Sequence, residues 1–107
     1  MRVKVKLTPI FMSYVTRDAD NTFLAVSNVS QTALASNPNR KSATFVNDSA
    51  NTIYLGLEDA AVVGSGIRLN ANGGSYEINY INRFTGLVTA IAGVVGPSNL
   101  TVTETPA

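Results

Sequence analysis

The chain has 107 residues with no Cys, His or Trp, and its eight Lys and Arg against seven Asp and Glu give a formal net charge of +1. These absences exclude disulfides, thiolate nucleophiles, histidine acid–base catalysis and the usual ligands of zinc, copper and haem. The balanced charge argues against a nucleic-acid binder, and no apolar run reaches the ~18 residues of a membrane span. Charged residues make up only 14% of the chain, against about 25% in typical soluble domains. Such a low value predicts that partners or further copies of the chain cover part of the surface.

The N-terminal segment 2–7 alternates cationic and aliphatic residues. A β-strand would place the aliphatic side chains on one face and three cations on the other, namely Arg2, Lys4 and Lys6. We expect a single domain spanning 1–107, with residues 1–8 as an N-terminal arm or edge strand and these three cations as candidate partner-binding residues. Two interpretations stay open: an edge strand protected by its lysines, or an element that binds an acidic groove or adds a strand to a neighbour. The residues that follow lack a signal-peptide pattern, so we expect synthesis and use in a cytoplasm without export.

Alternation and turn signals divide the rest of the chain into short segments. Further strands are predicted at 10–15, 23–29, 41–47, 52–57, 67–70, 76–80, 87–92 and 99–103. Between them we expect a polar turn at 16–21, a helical turn or two at 31–36, and a loop at 58–66 with a helical turn at 58–62. In the strand 52–57, alternation places three aliphatic residues on one face and Tyr54 on the other: Ile53, Leu55 and Leu57. The pattern predicts an all-β protein, a single jelly-roll-like β-sandwich of eight to ten short strands.

Acidic residues occur at two places where a metal-binding interpretation has to be considered. The run Asp-Ala-Asp-Asn at 18–21 opens like a calcium loop, but the glycine and the bidentate acid of such a loop would fall on apolar residues. We therefore interpret it as a polar turn. Glu58 and Asp59 are adjacent, so a strand would point them to opposite faces, and we interpret them as a solvated loop tip. An enzyme would have to bring Asp20 together with Glu58 or Asp59 from separate loops.

Three other patterns also have structural interpretations. The run Gly-Ser-Gly at 64–66 is shorter than a phosphate cradle and predicts a flexible turn. The pair Arg40-Lys41 stands beside a turn and predicts a solvated basic corner. Aromatic residues could form a saccharide-binding patch together with Arg83, but packing in the core or across strands is favoured for them. These residues are Tyr14, Tyr54, Tyr76, Tyr80 and Phe84. We predict no catalytic residue, cofactor or metal site, and therefore no enzyme.

A series of turns and strands after residue 36 carries a resemblance. It runs through Asn-Pro-Asn-Arg at 37–40, Asn-Asp-Ser at 47–49, Thr-Ile-Tyr-Leu-Gly at 52–56, Gly-Ile-Arg-Leu at 66–69, Gly-Gly-Ser at 73–75, Thr-Gly-Leu-Val-Thr-Ala-Ile-Ala at 85–92 and Thr-Val-Thr-Glu at 101–104. This part of the chain resembles a small β-sandwich module found in virion proteins of tailed bacteriophages. The first 36 residues lie outside the resemblance.

The resemblance implies a structural protein that coats, cements or completes a phage particle. The leading expectation is a capsid decoration or cement protein that binds the outer surface of the shell. Its partners would be the major capsid protein or other virion proteins and itself, as a closed homotrimer or dimer whose many equivalent contacts combine by avidity. The alternatives are a tail or head-fibre component that binds a receptor or glycan, and a head–tail or tail structural component. In each case we expect a virion protein assembled in the host bacterial cytoplasm that binds neither nucleic acid nor membrane.

Overall fold

The computed structural model describes residues 18–106, and secondary structure in this range consists of eight strands. They are β1 (Asp20–Val26), β2 (Gln31–Leu34), β3 (Arg40–Asn47), β4 (Ile53–Leu57), β5 (Ile67–Leu69), β6 (Ser75–Ile78), β7 (Val88–Ala92) and β8 (Ser98–Pro106). Over the same residues we find no helix long and apolar enough to cross a membrane. The prediction of an all-β sandwich is confirmed.

The strands form two four-stranded antiparallel sheets. Sheet A has the order β1-β8-β3-β6, and sheet B has the order β2-β7-β4-β5. Only β4 and β5 are consecutive strands of one sheet; every other connection crosses from one sheet to the other. We interpret this alternation as jelly-roll connectivity, in which strands distant in sequence become neighbours.

The core lies between the sheets and follows the period of two that a pleated strand imposes. Along β8, inward positions are buried and outward positions are half-buried. The buried apolar cluster draws on both sheets: Val26, Ala43, Phe45, Ile53, Leu55, Leu69, Ile78, Val88, Ala90, Ala92, Leu100 and Val102. Each large side chain in it contributes about 1.5–3 kcal/mol by leaving water. The inward face predicted for 52–57 is confirmed, because Ile53 and Leu55 are buried and Leu57 packs against the cluster.

The loop 58–66 lies over the outer face of sheet B. The Thr89 hydroxyl on β7 donates to the Asp59 carbonyl at 2.7 Å, and the Ala61 N–H donates to Ser30 Oγ at 2.8 Å. A Cβ on Gly56 would come within 2.9 Å of the same Asp59 carbonyl oxygen. This close approach explains why both faces of β7 are buried.

Two predictions of local helix are wrong. Residues 31–34 form β2, where Gln31 and Thr32 pair with Ala90 and Thr89. Residues 58–62 contain no helical turn. In both places the local propensity is weak, and contacts with β7 decide the conformation.

The prediction of a solvated basic corner at Arg40-Lys41 is wrong for Arg40, which is 0% exposed. A register shift between Arg40 and Ser42 interrupts the pairing of β3 with β8. Such a bulge changes the direction of a side chain, and here it turns Arg40 towards the interior, on the side of Ala43 and Phe45. Its Nε donates to Glu104 Oε2 at 2.8 Å.

The remaining Arg40 donors join three carbonyl groups of neighbouring loops. Nη1 donates to the carbonyls of Phe84 at 2.8 Å and Gly86 at 3.1 Å, and Nη2 donates to that of Ala35 at 2.6 Å. Glu104 also accepts from the Asn37 side-chain amide at 3.3 Å. The guanidinium therefore connects the ends of β3 and β8 to the loops that lead into β3 and β7.

Candidate functional site

The three cations proposed to bind a partner, Arg2, Lys4 and Lys6, lie outside the described residues, as does the arm 1–8. Their role stays a prediction. The described part of the chain presents two other surfaces, on opposite sheets, that differ from an ordinary solvated exterior.

Each of the two predicted acidic constellations contains one side chain that makes a structural hydrogen bond. Residues 16 and 17 of the turn predicted at 16–21 lie outside the described residues. Asp20 and Asn21 belong to β1, where Asn21 Oδ1 accepts from the Thr103 hydroxyl at 2.9 Å. Glu58 has a φ of 72° and its carboxylate accepts the Leu87 N–H at 3.1 Å, so it holds the loop to the start of β7. Among residues 18–106, no three His, Cys, Asp or Glu side chains come together as a metal site would require.

The aromatic residues considered as a saccharide patch are separated by the fold, and Tyr14 lies outside the described residues. Tyr54 is half-buried on the outer side of β4, in sheet B. Tyr76 is half-buried in β6, in sheet A, and packs against the core with Phe84. Tyr80 is 67% exposed beyond the end of β6. Tyr54 is therefore the member of the group that faces outward from sheet B.

The first unusual surface is the outer face of sheet A, which we call the threonine face. Outward positions of its four strands carry short hydroxyl, amide and apolar side chains: Asn21, Phe23, Ala25, Ser42, Thr44, Val46, Ser75, Glu77, Asn99, Thr101, Thr103 and Thr105. Neighbouring strands place these residues in rows, such as Asn21-Thr103-Thr44-Glu77. Among these regularly paired outward residues Glu77 carries the one charge, and half-buried Lys41 stands next to them at the bulge between Arg40 and Ser42.

The chemistry of the threonine face favours contact with another surface. Hydroxyl and amide groups can donate and accept hydrogen bonds, and uncharged groups cost far less to desolvate than ions do. The hydroxyls already interact along the sheet, as Ser42 does with Thr105. Sequence reasoning missed this face, although the alternation of Thr101, Thr103 and Thr105 with buried residues was a usable signal.

The second surface is a groove of about 310 Å³ on the outer side of sheet B, which we call the end groove. Its lining comes from β4 and three neighbouring loops: Ala50, Asn51, Thr52, Tyr54, Val63, Gly93 and Val94. The lining carries no charge, and Val63 and Val94 remain 50% and 40% exposed. Within residues 18–106, the hydroxyls of Thr52 and Tyr54 have no hydrogen-bond partner. An aromatic ring beside unused hydroxyls suits a neutral ligand that has both apolar and hydrogen-bonding faces.

Comparison with known proteins shows the fold alone. No family model matches the chain, and no curated protein does. Among solved structures, the stem and receptor-binding domain of the spike protein P1 from bacteriophage PM2 is similar with a TM-score of 0.56 and 19% identity. The alignment covers 76% of this chain and 31% of the spike chain, so this chain spans about a third of that protein.

A second solved structure has a similar fold. The Bacillus endospore appendages, described as a novel family of disulfide-linked pili, match with a TM-score of 0.51 and 13% identity over 84% of this chain and 87% of theirs. This chain has no Cys, so the disulfide linkage of those pili has no counterpart in it. Both identities are too low to transfer a function.

Proposed function

We propose that this chain is a non-enzymatic structural protein of a phage virion, and that it decorates or cements the capsid by binding the outer surface of the shell as a closed trimer or dimer. The threonine face is the observation that supports this proposal best. It is a sheet-wide surface whose regularly paired outward residues carry one charge among the described residues, that of Glu77, with Lys41 at the bulge beside them. A protein that must bury this face repeatedly against other proteins avoids the cost of desolvating charges.

The fold and the chemistry of the chain add support. The β-sandwich also occurs in a phage spike and in an endospore appendage, both of which are assembled structures. Glu58, one of the acidic residues that an enzyme would need, holds the loop 58–66 to the start of β7 instead. Arg2, Lys4 and Lys6 would add an electrostatic contact with an acidic surface of the major capsid protein or another virion protein.

The copy number of the chain in purified particles tests whether it lies on the capsid surface. We would quantify it by mass spectrometry relative to the major shell protein. A number comparable to the shell protein supports decoration or cement, and a handful of copies per particle indicates a fibre or head–tail component instead. Absence of the chain from the particle overturns the virion proposal.

A pair of substitutions tests the threonine face itself. Thr44 lies exposed on β3 within the face, and Thr32 lies exposed on β2 in the opposite sheet. Thr44→Lys places a cation in the contact and should weaken co-sedimentation with particles that lack the protein by at least about tenfold, equivalent to about 1.4 kcal/mol. Thr32→Lys is the matched control and should bind as the unmodified chain does. Equal binding by both variants would show that the shell is contacted elsewhere.

A tail or head-fibre component that binds a glycan is the second candidate, and the end groove favours it. The hydroxyls of Thr52 and Tyr54, which have no hydrogen-bond partner among residues 18–106, lie beside the Val63 side chain and suit a neutral saccharide. A glycan array, followed by titration calorimetry of any ligand found, tests this function. Tyr54→Ala should abolish binding and Tyr54→Phe should weaken it, whereas Tyr80→Ala, outside the groove, should leave it unchanged. A ligand whose affinity ignores Tyr54 does not occupy this groove.

A further inference from the structure

The outer edge of β1 is the least protected edge of the sandwich. Within residues 18–106, β1 pairs with β8 alone and has seven residues in regular register, with no Pro and with one charged residue, Asp20, at its start. The other edge strands are shorter or interrupted. β5 has three residues and carries Arg68, β6 has four and carries Glu77, and β2 has four with a register shift between Thr32 and Leu34. Charges, short length and irregularity are the features that keep a sheet edge from pairing with another chain, and β1 has the fewest of them.

The side chains of β1 also remain uncovered. Asp20, Asn21, Thr22 and Phe23 are exposed although they alternate between the two faces of the sheet. Phe23 is 74% exposed. A regular edge strand with an exposed aromatic residue is a template for a further strand.

Charge is divided unequally between the sandwich and the segment that precedes it. Residues 1–17 contain four cations and no acid, a net charge of +4, whereas residues 18–106 contain four cations and seven acids, a net charge of −3. The sequence of segment 1–17 is also rich in apolar residues: Val3, Val5, Leu7, Ile10, Phe11, Met12, Tyr14 and Val15. Opposite net charge and a sequence rich in apolar residues both favour association of such a segment with a sandwich.

We propose that residues 2–7 of one copy add as a strand to the β1 edge of a second copy. The segment and the edge have similar lengths and the same two-residue period. Its aliphatic face would lie beside Thr22 and Leu24 and extend the core, and its cationic face would lie beside Phe23, where a cation can stack on the ring. The connecting residues 8–19 reach about 40 Å when extended, which is ample to reach a neighbouring molecule.

The length of the connection favours a second copy over the same chain. Residues 8–19 would have to form the loop of an intramolecular hairpin, whereas hairpin loops have about 2–5 residues. The segment 10–15 is closer in sequence to β1, but its pattern does not alternate, so pairing there would expose large apolar side chains on the threonine face. This inference deepens the self-association within the proposed function and does not depend on the virion location.

Mixing two variants of the 107-residue chain tests whether the arm of one copy pairs with β1 of another. The sequence has no native cysteine, so any disulfide crosslink must come from the introduced cysteines. A Lys4→Cys chain is mixed with a Phe23→Cys chain under mild oxidation. A covalent dimer joining the two variants is the expected result. Mixing Lys4→Cys with Val29→Cys is the control, because Val29 is 64% exposed but lies outside β1. The proposal would be overturned if no heterodimer formed, or if the heterodimer formed in equal yield with Phe23→Cys and Val29→Cys. A chain that carries both Lys4→Cys and Phe23→Cys gives a second test. A crosslink that forms only within single chains of this variant would also overturn the proposal.

Light scattering supplies an independent measurement. The unmodified chain should have at least twice the monomer mass, and Phe23→Lys should raise the dissociation constant by at least about tenfold, because it removes an aromatic contact and opposes the cationic arm. Val29→Lys makes the same chemical change outside the edge and should leave the mass unchanged. A monomeric unmodified chain, or equal effects of both variants, would refute strand exchange. Because Phe23 also lies on the threonine face, particle binding is compared with Thr22→Lys instead, at an exposed residue of β1 on the opposite side of the pleat. A Thr22→Lys chain that no longer self-associates but still binds particles would leave the proposed function intact.

Discussion

The buried guanidinium of Arg40 provides a direct test of how the sandwich is held together. The substitution Arg40→Met keeps most of the side-chain volume but removes the charge and every donor. It leaves the Glu104 carboxylate, at 8% residue exposure, without its cation. It also leaves three loop carbonyl oxygens without the donors that now reach them at 2.6–3.1 Å.

The expected loss of stability follows from these lost contacts. Removing one partner of a buried ion pair costs about 3–5 kcal/mol, because the other charge stays buried and uncompensated. Domains of this size have total stabilities of about 5–15 kcal/mol. At about 4 °C or more of Tm per kcal/mol, we expect Tm to fall by at least about 12 °C.

Urea denaturation followed by circular dichroism measures this loss, and Arg68→Met is the matched control. Arg68 lies exposed on β5, so its replacement should change stability by less than about 0.5 kcal/mol. Glu104→Gln should cost less than Arg40→Met, about 1–3 kcal/mol, because the amide oxygen can still accept the Nε–H. The double variant should cost less than the sum of the two single variants. An Arg40→Met variant as stable as Arg68→Met would refute the buried pair.

Two further predictions concern the ends of the strands. Asn47→Ala should destabilise the protein by about 2–4 kcal/mol, because the buried Asn47 amide donates to three carbonyl oxygens. The control Asn99→Ala loses only an exposed 3.5 Å contact and should be near neutral. Similar urea midpoints for the two variants would contradict this prediction. Gly66→Ala should cost about 2–4 kcal/mol and Gly64→Ala about 1 kcal/mol. Both glycines have positive φ, but only at Gly66 would a Cβ clash with the Leu55 carbonyl oxygen. Equal losses of Tm would mean that this close approach is absent.

The strands were predictable where their residues alternate within a single segment. The aliphatic face of 52–57 and the predicted strand 41–47 agree with β4 and β3 to within a residue at each end. A pleated strand with one face in the core produces this pattern wherever it lies in the sheet, so it can be read without knowing the neighbours. The strand predicted at 23–29 begins three residues earlier, at Asp20. Pairing with the long β8 recruits polar residues that have little strand propensity of their own.

The sequence by itself therefore determined the all-β class, the single sandwich and most of the core-facing positions, because these depend on hydrophobic periodicity and turn residues close together in the chain. Only the tertiary structure decided that Arg40 is buried, because a bulge against β8 turns it inward and its partner Glu104 lies 64 residues away. The same holds for the threonine face and the end groove. The register between β3 and β8, and the packing of loops around Tyr54, place residues side by side that no local pattern connects.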